Sequence, residues 1–286
     1  MAYQRILTIQ DISCVGQCSL TVALPILSAC GHETAALPTA VLSTHTGRFQ
    51  GYTFRDLTDD IPGICAHWER EGLDFSAVYT GYLASARQIA LVRDVIRSRL
   101  RPGGVLIVDP AMADDGRLYS GFGTDVVDAM RTLCAEADYI LPNVTEAALL
   151  AGLPYPEQAG SASEQIDCAY VERLAAGAAA HAEQTVLLTG VSFEPGKTGV
   201  FLWKDGKSCY YAHEKSPCGG YGTGDVFASA FTGTLLNGRT AERAARLAAD
   251  YTARCAARTA QDPAHWYGLE FEPELPWLIR RLEDRE

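Results

Sequence analysis

The feature that most constrains the fold of this chain is an alternation of short apolar runs with segments of helical periodicity. The apolar runs occupy residues 5–9, 34–37, 77–80, 105–108, 139–141 and 186–188. Between two of them, Ile89, Val92, Ile96 and Leu100 recur at the spacing of one buried helix face. Fully apolar strands joined by helices are typical of parallel sheets. The pattern therefore predicts an α/β fold in three layers, with a mostly parallel central sheet and helices on both faces.

Length and turn chemistry predict one domain over residues 1–286. The chain has 286 residues, 48% of them hydrophobic, which is enough for one large core. Two strand-like runs, Val200–Trp203 and Ser208–His213, flank Asp205-Gly206 and predict a hairpin. A further helix is expected from Thr223. No low-complexity segment, internal repeat or interdomain linker is recognisable.

Charge and cysteine usage restrict the partners and the compartment. The formal net charge is −11, so nucleic acid is a poor partner. The nine cysteines are scattered, with no C-x-x-C spacing, which favours free thiols in a reducing compartment. The N-terminus does not resemble a signal peptide, and no apolar run approaches the ~20 residues that a membrane helix needs. We therefore expect a cytoplasmic protein with no membrane partner.

One glycine-rich segment indicates chemistry. Four glycines within six positions, the last two being Gly222 and Gly224, precede Asp225 and a helical stretch. Glycines let the backbone approach a ligand, and a helix beginning near Thr223 directs free N–H groups to the same place. A migrating phosphoryl group needs such donors, and a neighbouring carboxylate can accept a proton from the attacking hydroxyl. The alternative is an ordinary capped helix. Cys218, just before this turn, is either a plain loop cysteine or a thiol near an aldehyde substrate.

Polar residues also follow several of the apolar runs. In open α/β sheets, ligands bind outside the carboxyl ends of the strands. The residues at these ends are Asp11, Gly81, Tyr82, Asp109, Asn143, Glu146 and Thr189. Apart from Tyr82, they are suited to binding cations, phosphates or sugars.

Gly222-Thr-Gly-Asp225 resembles the C-terminal motif of ribokinase-like carbohydrate and vitamin kinases. Five further segments are similar to the pyridoxal and pyridoxamine kinase branch of that superfamily: Ile9-Gln10 with Gly16, Ser43–Thr46, Thr80–Ser85, Asp109–Met112 and Pro142–Glu146. The resemblance covers nearly the whole chain. It implies an ATP-dependent kinase that phosphorylates the 5′-hydroxymethyl group of pyridoxal, pyridoxamine or pyridoxine.

The resemblance also implies residue roles. Asp225 is expected to be the catalytic base, with Gly222, Thr223 and Gly224 as the anion hole. The residues expected to bind ATP are Asp109, Asn143, Glu146 and Thr189, and of these Asp109 and Glu146 are expected to bind Mg²⁺, partly through water. Three simpler structural roles stay open for them: a capping pair for Asn143 and Glu146, a turn acid for Asp109, and a strand-end hydroxyl for Thr189.

On the vitamin side, Thr46 and Gly47 match positions near the pyridine ring, and Tyr82 matches an aromatic residue beside it. The branch usually has a serine after Ile-Gln that meets the ring nitrogen, whereas this chain has Asp11, with Ser13 two residues later. A carboxylate there would favour a protonated ring nitrogen. The departure leaves hydroxymethylpyrimidine or a sugar open as the substrate.

Two other classes of protein compete with this interpretation. One is a catalytically silent ligand-binding protein, against which the intact Gly222–Asp225 segment argues. The other is a nicotinamide-dependent enzyme, which lacks its glycine fingerprint after the first strand. The resemblance further implies a homodimer, and it leaves the need for a monovalent cation open.

Overall fold

The computed structural model describes residues 5–156, 166–216 and 220–284, so Cys218 lies outside the described residues. The strands are β1 (Arg5–Ser13), β2 (Glu33–Leu42), β3 (Phe54–Asp56), β4 (Phe75–Thr80), β5 (Leu100–Val108), β6 (Ala113–Asp114), β7 (Arg117–Leu118), β8 (Tyr139–Ile140), β9 (Thr185–Val191), β10 (Lys197–Lys204) and β11 (Lys207–Glu214). The α-helices are α1 (Leu20–Ala29), α2 (Ile61–Arg70), α3 (Ala86–Arg99), α4 (Thr124–Cys134), α5 (Val144–Ala151), α6 (Cys168–Ala178), α7 (Thr223–Leu236), α8 (Ala241–Thr259) and α9 (Leu275–Glu283).

The chain forms two compact units, the first of which combines residues 1–105 with 216–286. Its strands lie in the order β4-β1-β2-β3, with β1 parallel to both β4 and β2 and with β3 antiparallel at the edge. Leu7 pairs with Val78 on one side and with Ala35 on the other. Strand β1 is buried along most of its length, as expected for a strand with parallel neighbours. Helix α7 packs against α1 and α8, and its residues 226–234 are all buried.

The second unit comprises residues 106–215. The end of β5, then β8 and β9, run parallel, and β10 and β11 add an antiparallel hairpin. Asp205 and Gly206 connect the hairpin with φ values of 47° and 73°. A two-residue turn with both φ angles positive matches the twist of the strands that it joins, and Gly at its second position meets this requirement without strain. The predicted hairpin is thus confirmed.

Most of the predicted strands and helices are found, and the strands other than β8 are longer than predicted. Helix α3 ends at Arg99, one residue before the last position of the predicted apolar face, and Leu100 begins β5. Strand β3 and helices α2 and α4 were not predicted. Among the described residues, no helix is both long and apolar enough to cross a membrane. The organisation of residues 1–286 as a single domain remains a prediction.

Candidate active site

The turn before α7 has a backbone that only glycine can adopt at residue 222. Gly222 is the N-cap of α7 with φ 76°, and a Cβ there would lie 1.7 Å from the carbonyl oxygen of Gln17. The next residue is tied back to the turn, since the Thr223 hydroxyl donates to the Gly220 carbonyl at 2.5 Å. By contrast, a Cβ on Gly224 would meet no atom within 4 Å. The turn is closely packed on one side and open beside Gly224.

Helix α7 directs its first backbone N–H groups into this open space. The first bond of the helix runs from the Val226 N–H to the Gly222 carbonyl at 2.9 Å, so the N–H groups of residues 223–225 have no partner within the helix. Donors at a helix N-terminus favour an anionic ligand. These N–H groups are suited to an anion, and the anion hole expected at Gly222, Thr223 and Gly224 stays a prediction.

Asp225 lies in the first turn of α7 with a perturbed carboxyl group. Its pKa is raised to about 7, mainly by burial; the nearby Ser19 backbone N–H acts in the opposite direction, and the negative charge of Asp11 contributes a smaller rise. A carboxyl with a pKa near neutrality can both take up and release a proton at physiological pH. Such a pKa is compatible with the general base that the sequence predicts at Asp225, and this role stays a prediction.

Asp11, near the end of β1, is almost fully buried, with 4% of its surface exposed. Its Oδ1 accepts a hydrogen bond from the Ser19 hydroxyl at 2.5 Å, and its Oδ2 accepts one from the Ser13 hydroxyl at 2.9 Å. Burial raises the pKa of Asp11, and the two hydroxyl groups partly offset this effect. Both carboxylate oxygens are thus engaged by groups of the protein.

The loop after β2 is fixed by His45. The imidazole Nδ1 accepts a hydrogen bond from the Gly47 N–H at 3.0 Å, which leaves Nε2 to donate to the Tyr267 carbonyl at 2.9 Å. Burial lowers the pKa of His45, in keeping with a neutral ring. A Cβ on Gly47 would lie 2.1 Å from the Tyr221 ring, and a Cβ on Gly16 would lie 2.2 Å from His45. These turns can approach one another because they carry glycine.

The remaining two substrate candidates of the first unit differ in exposure. Thr46 is exposed in the loop that His45 fixes, and Tyr82 is half-buried after β4. Burial raises the pKa of Tyr82 to about 12, and the carboxylates of Asp11 and Asp56 add to the shift. Tyr82 is therefore a neutral aromatic side chain close to Asp11.

In the second unit, Asn143 and Glu146 form a capping box at the start of α5. The Asn143 Oδ1 accepts from the Glu146 N–H at 2.9 Å, and the Glu146 Oε2 accepts from the Asn143 N–H at 2.9 Å. The other carboxylate oxygen of Glu146 accepts from the backbone N–H of Met112 at 3.0 Å. Burial raises the pKa of Glu146 to about 8. The capping role that the sequence left open is observed.

Thr189 and Asp109 lie on strands of the same unit. Thr189 is within β9, and its N–H donates to the Pro142 carbonyl at 3.0 Å, next to the bridge between Asn143 and Thr189. Asp109 directly follows β5 and is 9% exposed. Burial is the main cause that raises the pKa of Cys134, and the charges of Glu146 and Asp109 add to it, so the two carboxyl groups lie near the same buried thiol.

Comparison with known proteins decides the family. The family model described as phosphomethylpyrimidine kinase matches residues 27–268. The chain belongs to the phosphomethylpyrimidine kinase family.

The relatives of this kinase include several vitamin B6 kinases. It is 27% identical over 295 residues to the pyridoxine/pyridoxal/pyridoxamine kinase of Bordetella avium, covering 94% of this chain and 93% of the relative. The crystal structure of pyridoxal kinase from Lactobacillus plantarum matches with a TM-score of 0.89 and 31% identity over 100% of both chains. A protein of Bacteroides thetaiotaomicron assigned to the phosphomethylpyrimidine kinases, crystallised with pyridoxal, matches with a TM-score of 0.84 and 34% identity over 98% of this chain and 96% of that one.

These similarities confirm three predictions from the sequence. The resemblance to the pyridoxal kinase branch is confirmed, as are the ribokinase-like α/β fold with a mostly parallel sheet and the assignment of the chain as a kinase. The roles of individual residues are not decided by them and stay predictions.

The carboxylate oxygens of this kinase are suited to bind Mg²⁺ through intervening water molecules. Mg²⁺ takes oxygen ligands and commonly keeps several of its waters. Both carboxylate oxygens of Glu146 already accept backbone hydrogens, so an intervening water fits this residue better than direct ligation. Among residues 5–156, 166–216 and 220–284 no group of three or more His, Cys, Asp or Glu side chains could hold a metal by itself. Asp109 and Glu146 thus fit an ion whose remaining ligands are water and phosphate oxygens.

Three residues of the site were missed in the sequence. Ser19 belongs to no motif of the sequence, although its hydroxyl donates a hydrogen bond to Asp11 Oδ1 at 2.5 Å. Gln17 also belongs to no motif, although its carbonyl oxygen packs against Gly222. Tyr221 lies inside the glycine-rich segment but carries no sequence signal for its contact with Gly47. Each role depends on a partner that is not a near neighbour in sequence.

Proposed function

We propose that this kinase transfers the terminal phosphoryl group of ATP to the 5′-hydroxymethyl group of a vitamin B6 vitamer. The names of its relatives support this substrate class: the Bordetella avium protein is a kinase for pyridoxine, pyridoxal and pyridoxamine, and the Lactobacillus plantarum structure is a pyridoxal kinase. The Bacteroides thetaiotaomicron protein was crystallised with pyridoxal.

The single observation that carries the chemistry is Asp225 in the first turn of α7, with a pKa of about 7, beside the open space at Gly224. Asp225 accepts the proton of the substrate hydroxyl as its oxygen attacks the terminal phosphorus of ATP. The new O–P bond forms while the bond from phosphorus to the ADP oxygen breaks. The N–H groups of residues 222–224 stabilise the charge on the transferring group.

For the nucleotide, we propose Asp109, Asn143, Glu146 and Thr189 as the binding residues. Asp109 and Glu146 would hold Mg²⁺, with water in between, and the ion would neutralise phosphate charge when bound. The support for Glu146 is its fixed geometry, since three backbone N–H groups, the third from Ala113 at 3.5 Å, orient the carboxylate. The support for Asp109 is its location directly after β5.

For the vitamin, we propose Thr46, Gly47 and Tyr82 as contacts, with Asp11 and Ser13 behind them. The exposed Thr46 and the half-buried ring of Tyr82 suit a flat heteroaromatic ligand. A direct contact between Asp11 and the ring nitrogen remains a prediction, because both of its oxygens accept serine hydroxyls.

A second candidate substrate is hydroxymethylpyrimidine, because the description of the family model, phosphomethylpyrimidine kinase, points to a substituted pyrimidine ring. Its reaction would use the same base and the same anion hole, because it also presents a hydroxymethyl group on a heteroaromatic ring. The pKa of Asp225 gives no particular support to a sugar substrate or to a catalytically silent ligand-binding protein.

A substrate panel tests the proposal. The purified protein is incubated with ATP, Mg²⁺ and one of pyridoxal, pyridoxamine, pyridoxine, hydroxymethylpyrimidine or ribose, and the product is identified by mass. We expect phosphorylation of at least one vitamer with the highest kcat/KM of the panel. Preference for hydroxymethylpyrimidine would replace the substrate, and no product from any compound would contradict the function. Omission of Mg²⁺ and addition of K⁺ to the same assay test the two cations.

We also propose a cytoplasmic location and a homodimer. None of the eight cysteines within the described residues forms a disulfide, which supports a reducing compartment such as the cytoplasm. A homodimer is proposed from the resemblance alone. Light scattering of the purified protein measures its mass directly.

A further inference from the structure

His45 is a buried residue of the first unit, 5% exposed, and the backbone binds both nitrogens of its imidazole. Nδ1 accepts from the Gly47 N–H at 3.0 Å, and Nε2 donates to the Tyr267 carbonyl at 2.9 Å. An imidazole that accepts at one nitrogen and donates at the other is neutral, with its proton on Nε2. Since both nitrogens are engaged in this way, His45 contributes to function through the segments that it joins.

The imidazole ring is also packed on several sides. Its centroid lies 4.8 Å from that of the Tyr221 ring and 4.9 Å from that of the Phe49 ring, distances at which aromatic rings attract one another. The backbone of Gly16 approaches so closely that a Cβ there would lie 2.2 Å from the imidazole. Packing and hydrogen bonds together therefore hold the ring of His45 in one orientation.

Gly47 connects His45 to the glycine-rich turn before α7. A Cβ on Gly47 would lie 2.1 Å from the Tyr221 ring, so the loop after β2 and the turn are in direct contact at this point. Tyr221 is followed directly by Gly222, the N-cap of α7. The hydrogen bond from Gly47 to His45 thus holds the loop against the residue that precedes the proposed anion hole.

A second path joins His45 to the same turn through the segment that follows α8. The carbonyl of Tyr267 accepts from His45, and the next residue, Gly268, forms a backbone bridge with Gln17. The carbonyl oxygen of Gln17 in turn lies where a side chain on Gly222 would be, 1.7 Å from the Cβ position. Two separate paths of contact therefore run from one imidazole to the start of α7.

The loop and the turn carry opposite halves of the proposed reaction. The loop of Thr46 and Gly47 is proposed to contact the vitamin, and the turn at Gly222 is proposed to hold the transferring phosphoryl group. The attacking oxygen and the phosphorus must be held about 3–3.5 Å apart and in line before they react. The location of the loop relative to the turn therefore decides whether the hydroxymethyl group reaches the phosphoryl group.

We propose that His45 is a positioning residue for phosphoryl transfer: its imidazole holds the loop of Thr46 and Gly47 against the turn of Tyr221 and Gly222. The inference rests on the proposed function, which assigns the loop to the vitamin and the turn to the phosphoryl group. A histidine that only stabilised the fold would affect the free energy of unfolding and leave the kinetic constants of the folded enzyme unchanged. A positioning residue changes kcat and the KM for the vitamin, and leaves the KM for ATP as it is.

Three variants test the inference, with kcat, the KM values for pyridoxal and ATP, and urea denaturation as readouts. His45→Phe keeps an aromatic ring but removes both hydrogen bonds, whereas His45→Asn keeps an acceptor oxygen for the Gly47 N–H. Gly47→Ala leaves His45 intact and places a methyl group against Tyr221. His32→Phe is the matched control, since Nε2 of His32 also meets a backbone carbonyl, that of Gly233 at 2.9 Å, near the C-terminal end of α7.

The inference predicts that His45→Phe loses kcat by about ten- to a hundredfold and raises the KM for pyridoxal at an unchanged KM for ATP, because the loop is displaced from the turn. His45→Asn recovers part of this loss, because it restores the acceptor for Gly47. Gly47→Ala loses kcat to a similar extent as His45→Phe. The double variant is no worse than the poorer single one, since both changes break the same contact. His32→Phe keeps the wild-type constants.

The outcomes separate this inference from the proposed function. Wild-type kcat and KM values in folded His45→Phe, alongside an inactive Asp225→Asn, would overturn the positioning role alone, even if the variant were less stable in urea. If His45→Phe does not fold, wild-type constants in Gly47→Ala would overturn the role in the same way. Losses that multiply in the double variant would show that His45 acts by another route and would overturn it too. Full turnover by Asp225→Asn would remove the proposed function of Asp225 itself.

Discussion

The carbonyl oxygen of Gln17 occupies the space that a side chain at residue 222 would need, since a Cβ on Gly222 would lie 1.7 Å away from it. Gln17 has little freedom to move. Its side-chain amide donates to Glu272 at 2.7 Å, and its backbone bridges to Gly268. The path of the chain before α7 is thus decided by a segment some two hundred residues earlier.

Two glycine substitutions in this turn are expected to behave differently. Gly222→Ala places a methyl group against Gln17 at φ 76°, and the left-handed backbone alone should cost about 1–2 kcal/mol of unfolding free energy. Gly224→Ala meets open space and should leave stability equal or slightly higher, yet its methyl group should lower turnover about tenfold or more by obstructing the anion hole. Urea denaturation and a kinetic assay measure the pair. Equal stability of the two variants would contradict the packing at Gly222.

Asp225→Asn is expected to reduce kcat by about a hundred- to ten-thousandfold, because the amide cannot accept the substrate proton. Calorimetric binding of ATP should be nearly unchanged, since the proposed nucleotide residues are elsewhere in the chain. Product mass from overnight reactions extends the assay to slow turnover. Wild-type kcat in this variant would show that the proton goes elsewhere.

The pH dependence of kcat/KM follows from the raised pKa of Asp225. A general base works only when deprotonated, and with a pKa of about 7 the carboxyl is mostly protonated below that pH. The rate should therefore rise about tenfold per pH unit up to about pH 7 and then level off. The profile should be recorded with two vitamers, so that ionisation of the substrate can be recognised. A flat profile between about pH 5 and 7 would be incompatible with this base.

Glu146→Ala is expected to destabilise the kinase by about 2–4 kcal/mol. The substitution leaves the N–H groups of Asn143 and Met112 without the carboxylate that accepts them, and unsatisfied buried donors cost about 1–3 kcal/mol each. Glu146→Gln keeps one acceptor oxygen and should lie between this variant and the wild type. Guanidinium denaturation measures the loss. Unchanged stability with a raised KM for ATP would point to a role confined to the nucleotide.

The sequence was sufficient for the parts of the fold that local patterns encode. Fully apolar runs and helical periods predicted the parallel sheet, and Asp205-Gly206 predicted the hairpin. The sequence did not predict strand β3 or helix α2. The three residues Phe54–Asp56 are exposed and show no alternation that marks a strand. Helix α2, Ile61–Arg70, has proline and glycine directly after its first residue, and these residues do not favour a helix. Such segments acquire their structure from neighbouring elements.

For the site, the sequence by itself determined which residue types were available: the glycines at 222 and 224, the acid at 225, and the Asn143–Glu146 pair whose three-residue spacing makes a capping box. Tertiary structure alone decided what these residues touch. The close approach of Gly222 to Gln17 and that of Gly47 to Tyr221 join residues that are distant in the chain. No local pattern records them, because packing in three dimensions depends on the whole fold.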